Sequence, residues 1–78
     1  MINKMNEPRV YADIHNKDRF GKIRLNTVGT IIDLNKQNVV LQTGKVLNLY
    51  FENVEAKGVV TYSESEECWT AILINEFC

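Results

Sequence analysis

Hydrophobic and polar residues alternate with a period of two over several short stretches of this chain, the pattern of strands with one buried and one wet face. The first stretch covers residues 9–15, with Val10, Ala12 and Ile14 on one side and Arg9, Tyr11, Asp13 and His15 on the other. A polar run ending at Gly21 follows, and alternation resumes with Ile23 and Leu25 between Lys22, Arg24 and Asn26. This predicts a hairpin with a long loop. Thr30 followed by Asp33 resembles an imperfect capping box, which calls for one or two helical turns over residues 31–36. The β-branched Ile31 and Ile32 argue instead for a continued strand there. Residues 39–41 read as a short strand, and residues 46–51 as another with Leu47, Leu49 and Phe51 on one face. Residues 52–58 read as a turn, residues 59–62 as a strand and residues 63–67 as an acidic turn. The last strand, residues 68–74, is apolar on both sides, with Trp69, Ala71 and Leu73 opposite Cys68, Thr70, Ile72 and Ile74. Such a strand sits inside a sheet or under a covering partner.

Gly21, Gly29, Gly44 and Gly58 all fall at expected strand ends, as frequent reversals require. The pattern therefore predicts a mainly β, all-β-class domain of five or six short strands, with one short helix near 31–36 if any. A sheet of that size hides its edges by curling, so the expected architecture is a small curled antiparallel sheet or a partly open SH3-like barrel. An OB-like barrel calls for a longer chain.

Composition narrows the class without naming an activity. Seventy-eight residues allow one domain, with 45% hydrophobic and 24% charged residues in the ordinary globular range. Polar residues 1–8 are expected to form an arm and residues 9–78 the single β domain. The arm has no apolar run suited to export and no stretch is long enough to span a membrane. There are two cysteines, too few for a disulfide framework, so a reduced cytoplasmic setting is expected. Net charge is −1, which argues against a global field for nucleic acid or anionic membrane. That value is a cancellation. Residues 1–45 carry eight cations and four anions, +4, and residues 46–78 one cation and six anions, −5. If the halves segregate in space, the surface is dipolar.

Candidate chemistry is sparse. The row Arg9, Tyr11, Asp13 and His15 would let Asp13 orient His15 as a general base, although a wet strand face produces such rows routinely. His15 is the one histidine available to activate Cys68, Ser63 or Ser65, and no spacing places them together. A non-enzymatic protein is therefore expected. No zinc-ligand spacing and no glycine-rich phosphate loop is present, so neither metal nor cofactor is expected. Lys17, Arg19, Lys22 and Arg24 surround Phe20, the mixture of cations and an aromatic ring that single-stranded nucleic-acid binders use. Tyr62 and Trp69 read as packing residues. Tyr50, Phe51, Ile72 and Ile74 are candidates for a contact with a second copy or a protein partner.

Arg9-Val10-Tyr11-Ala12-Asp13, Arg24-Leu25-Asn26, Gly29-Thr30 with Asp33-Leu34, Leu49-Tyr50, Gly58-Val59-Val60 with Tyr62-Ser63-Glu64, and Cys68-Trp69 together resemble a family of short bacterial proteins of uncharacterised function, cyanobacterial members among them. The resemblance runs from Arg9 to Ile74. It implies a bacterial cytoplasmic protein and supplies no activity, ligand or catalytic residue. The family pattern has a longer acidic insert between its Leu-Tyr and Gly-Val-Val segments, where residues 51–57 are short here. The expected function is a protein-interaction or assembly module, self-associating or binding a protein partner. A single-stranded nucleic-acid-binding barrel is the alternative.

Overall fold

The computed structural model describes residues 7–74. Its elements are β1 (Arg9–Tyr11), β2 (Ile23–Arg24), α1 (Val28–Lys36), β3 (Val46–Phe51), β4 (Val54–Ser63) and β5 (Cys68–Leu73). The five strands form one sheet in the order β1-β3-β4-β5-β2. The domain is mainly β with one short helix, as expected, and its sheet is open. It is also mixed: β3, β4, β5 and β2 pair antiparallel, but β1 runs parallel to β3, with Val10 beside Leu49.

The parallel pair corrects the expected hairpin. β1 and β2 lie on opposite edges of the sheet, because the chain leaves the sheet after Tyr11 and crosses the core face. Ala12 and Ile14 carry apolar side chains across that face, and Leu25 and Leu34 cover it on the way back. The buried cluster joins Val10, Ala12, Ile23, Leu25, Leu34, Leu47, Leu49, Val60 and Ala71, with Ile14, Val39, Leu41, Trp69 and Leu73 packed around it. The period-two reading of residues 10–14 thus identified core side chains correctly while overstating the strand. Residues 13–15 instead form a turn, in which the Asp13 carboxylate accepts from the backbone amide of His15 at 2.9 Å. Residues 39–41 supply apolar cover and form no strand.

The helix begins at Val28, three residues before the expected start, with Thr27 at its N-cap. Thr30 and Asp33 do not cap it. Thr30 Oγ1 donates to the Tyr11 carbonyl at 2.6 Å, Asp33 Oδ2 accepts from the Tyr11 amide at 2.9 Å, and Gln37 Nε2 donates to the Arg9 carbonyl at 2.8 Å. Alternate backbone groups of β1 face β3, as in the amide of Ala12 donating to the Tyr50 carbonyl. The groups that face outward are the ones these three side chains take. Spaced i, i+3, i+7 along one helical face, they stand in for a missing neighbour strand and seal the sheet edge. Gly29 permits the approach: a Cβ there would lie 2.8 Å from Tyr11 Cδ2.

Gly29 and Gly58 therefore mark close approaches, not the reversals expected of them. Gly58 lies within β4, where that long strand pairs with Leu47 of β3 on one side and Leu73 of β5 on the other. The turn expected over 52–58 shrinks to Glu52 and Asn53, with Glu52 at φ 55°. The far edge is covered too. Residues 16–18 return along β2, with an isolated bridge between Lys17 and Ile23 and the Arg24 amide donating to the Asn16 carbonyl at 2.8 Å.

Candidate functional site

Exposed apolar side chains lie on the outer face of the helix, at Val28, Ile31 and Ile32, and on two surfaces that hold the sequence candidates. The first is the sheet face turned away from the core. Strand register sets Val46, Val59 and Ile72 in one row across β3, β4 and β5. Ile74 extends it just past β5, where its amide donates to the Lys57 carbonyl. Val46 and Val59 are half-buried, whereas Ile72 is 48% and Ile74 56% exposed. The helix packs on β1 and reaches this face at Tyr11 and Tyr50, through Gly29 and Asp33.

Ion pairs surround the row. Arg9 Nε meets Glu55 at 3.1 Å, Lys57 Nζ meets Glu7 at 2.7 Å, and Arg24 grips Glu66 with Nε at 2.6 Å and Nη2 at 2.9 Å. Each pair joins a residue of the cationic first half to one of the anionic second half. The two halves meet in space through these pairs, two of which join a first-half cation to a second-half carboxylate and the third the reverse.

The second surface is the turn at residues 17–22. The buried Asp18 organises it, its Oδ1 accepting from the amides of Phe20 and Lys22, both at 2.9 Å. Phe20 projects from the turn with 68% of its surface exposed, the Arg19 guanidinium carbon 5.2 Å and Lys22 Nζ 5.6 Å from its ring centre. Lys17 is exposed beside them. Arg24 leaves this basic group. Besides Glu66, its Nη1 donates to the Lys17 carbonyl at 2.8 Å and to Asn16 Oδ1 at 3.2 Å, so it ties β2 to the turn and to the acidic loop after β4.

The remaining sequence candidates are engaged by neighbours within the chain, with Arg9 and His15 still exposed. The Tyr50 hydroxyl donates to Asp33 at 2.8 Å, its ring lies 3.9 Å beneath the Arg9 guanidinium, and it meets Tyr11 edge-on at 5.7 Å. Phe51 packs against Tyr11 and, edge-on, against His15. Arg9, Tyr11, Tyr50 and Phe51 thus support the junction of β1, β3 and α1. Asp13 meets the backbone of His15, and Cys68 stands across the β4–β5 pair from Ser63. Burial pushes the Cys68 thiol up, keeping it protonated. Among the described residues there is no metal-type cluster of His, Cys, Asp or Glu, and no pocket opens.

Sequence reasoning missed the edge seal of Thr30, Asp33 and Gln37. Its signal was present as three polar residues at helical spacing on one face. It also missed Val46 and Val59, which out-of-phase alternation with Leu47, Leu49 and Val60 placed on the opposite face from the core. Comparison with known protein families, with curated proteins and with solved structures gives no match. No helix among the described residues is long and apolar enough to cross a membrane.

The carboxylates predict an acid limb. Hydrogen bonding to Arg24 holds Glu66 below the usual range, and hydrogen bonding to Lys57 does the same for Glu7. Burial pushes Asp18 up, but the amides of Lys22 and Phe20 with the Lys22 and Arg24 charges outweigh it and hold it down. A carboxyl depressed in the fold contributes stability that is present above its ordinary value, 4.5 for Glu and 3.8 for Asp. That stability is lost as pH falls through the depressed one. Thermal melts are expected to hold steady down to about pH 5 and fall steeply below it, with Glu66→Gln flattening part of the decline.

Proposed function

We propose that this protein is a non-enzymatic assembly module that associates with a second copy of itself through its open sheet face. The apolar row Val46, Val59, Ile72 and Ile74 carries this reading, since a strip of branched side chains that ends in two exposed isoleucines is suited to contact with another surface. Two features favour a second copy, packed face to face. The helix and residues 16–18 occupy the sheet edges, which blocks growth by strand addition. The flanking cations are each paired with a carboxylate of the same chain, so the face is locally neutral and offers little to a strongly charged partner. A two-fold related copy brings the same apolar row and the same balanced pairs, as a self-complementary contact requires. The strip is small, so the association is expected to be weak and concentration-dependent. A reduced cytoplasmic setting suits the free Cys68 thiol.

Sedimentation velocity over a series reaching near-millimolar protein is expected to show a monomer–dimer equilibrium. Ile72→Lys, on an exposed position, should abolish it with no change in circular dichroism. A strict monomer across the series would overturn the proposal, as would a dimer that Ile72→Lys leaves intact.

A further inference from the structure

We propose that the turn at residues 17–22 is a contact point for single-stranded nucleic acid, with Phe20 stacking on a base while Lys17, Arg19 and Lys22 meet phosphates. The fold itself selects these residues. Of the cations among the described residues, Arg9, Arg24 and Lys57 are held in ion pairs, and Lys17, Arg19, Lys22, Lys36 and Lys45 are not. Three of those five lie in this one turn, around the most exposed aromatic ring of the described chain. Asp18 is the one carboxylate within residues 17–22, leaving them at +2, and it is spent on backbone amides, while the neighbouring Glu66 is taken up by Arg24.

The turn is also pre-formed. Besides the two bonds to Asp18 Oδ1, the Asp18 amide donates to the Lys22 carbonyl at 2.8 Å and the Gly21 amide to the Asp18 carbonyl at 3.0 Å, with Gly21 at φ 83°. Arg24 braces it from behind through the Lys17 carbonyl and Asn16. Little ordering is left for a ligand to impose, which favours binding by so small a site.

An exposed ring beside cations also suits an anionic bilayer, but Phe20 is the one apolar side chain between His15 and Lys22. A bilayer needs more apolar area or a second anchor for stable attachment. A nucleobase needs a single ring face, with backbone phosphates a few ångströms away for the flanking cations.

The test is fluorescence anisotropy with a labelled single-stranded RNA of about 12 nucleotides in roughly 20 mM salt, conditions that reveal weak phosphate-driven binding. A saturable rise is expected, with log affinity falling against log salt at a slope of about −2 for three phosphates. Phe20→Ala should weaken binding on the order of ten-fold through lost stacking while leaving the slope unchanged. Combined Lys17→Ser, Arg19→Ser and Lys22→Ser should abolish it. Ile72→Lys, on the opposite side of the assembly question, should bind as the wild type does, so failure of self-association and failure of this site are read separately. No rise at low salt overturns the proposal. So does binding that Phe20→Ala leaves unchanged, or attachment to phosphatidylglycerol vesicles by a protein that ignores the RNA.

Discussion

Asp33→Ala is expected to lower stability by about 3 kcal/mol, the lower end for two hydrogen bonds to a charged acceptor that is partly exposed. In a domain of this size that corresponds to a fall of roughly 12–24 °C in melting temperature. One oxygen, Oδ2, receives both the Tyr11 amide and the Tyr50 hydroxyl. Its loss therefore unseats the helix from β1 and uncovers part of a sheet edge at once. Two signatures separate this from a simple loss of helix stability. The Tyr11 amide should lose protection from hydrogen exchange, and the variant should aggregate on heating, because an uncovered edge offers unpaired backbone groups to another chain. Tyr50→Phe isolates the phenol's part. The hydrogen bond to Asp33, then burial, pushes the Tyr50 hydroxyl above its ordinary 10.0. A group raised in the fold contributes stability that is lost as pH rises through the raised value, so the wild type should weaken at alkaline pH in a way that Tyr50→Phe does not share. A drop below 1 kcal/mol for Asp33→Ala, with Tyr11 still protected, would mean that Leu34 and the core alone hold the helix.

The same oxygen shows why the sequence yielded some of this structure and withheld the rest. Burial was legible because it is local: a period of two at residues 10–14, 23–25 and 47–49 assigns side chains to the core whatever the strands pair with. Pairing was not. A neighbour along the chain is the usual partner of a strand, which favoured a hairpin from β1 to β2. The actual partner, β3, lies beyond a helix and two crossings of the core. Thr30 and Asp33 fit a local capping pattern, yet they serve a strand some twenty residues earlier. Arg24 read as one member of a basic cluster because its carboxylate, Glu66, is 42 positions away. In each case the residue type was informative about chemistry and silent about the partner. The candidate surfaces follow the same rule. Ile72 and Ile74 stood out because the last strand is apolar on both sides and Phe20 because cations surround it, whereas the valines beside Ile72 are brought there by register.

Leu49→Ala is expected to be the most costly single change, because Leu49 is fully buried on β3 between Val10 of β1 and Ala56 of β4, and such truncations cost about 2–5 kcal/mol. Total stability for a chain of this length is on the order of 4–12 kcal/mol, so a large part of the fold's margin goes with one side chain. Gly58→Ala should cost about 1–3 kcal/mol for the opposite reason, overpacking. A Cβ at that position would lie 2.9 Å from Leu49 Cδ1 and 3.1 Å from Ala71 Cβ. The leucine methyl can swing aside at the expense of its rotamer. The alanine Cβ is fixed to the neighbouring strand, so β4 and β5 must part slightly where β4 pairs with strands on both sides. The two substitutions then couple. Truncating Leu49 removes the closer of the two contacts and opens space beside the added methyl, so the double variant should be more stable than the sum of the single costs by about 1 kcal/mol. Urea unfolding of the four proteins measures this directly. Strict additivity would mean that Leu49 already gives way freely and that the closeness of Ala71 alone requires glycine at position 58.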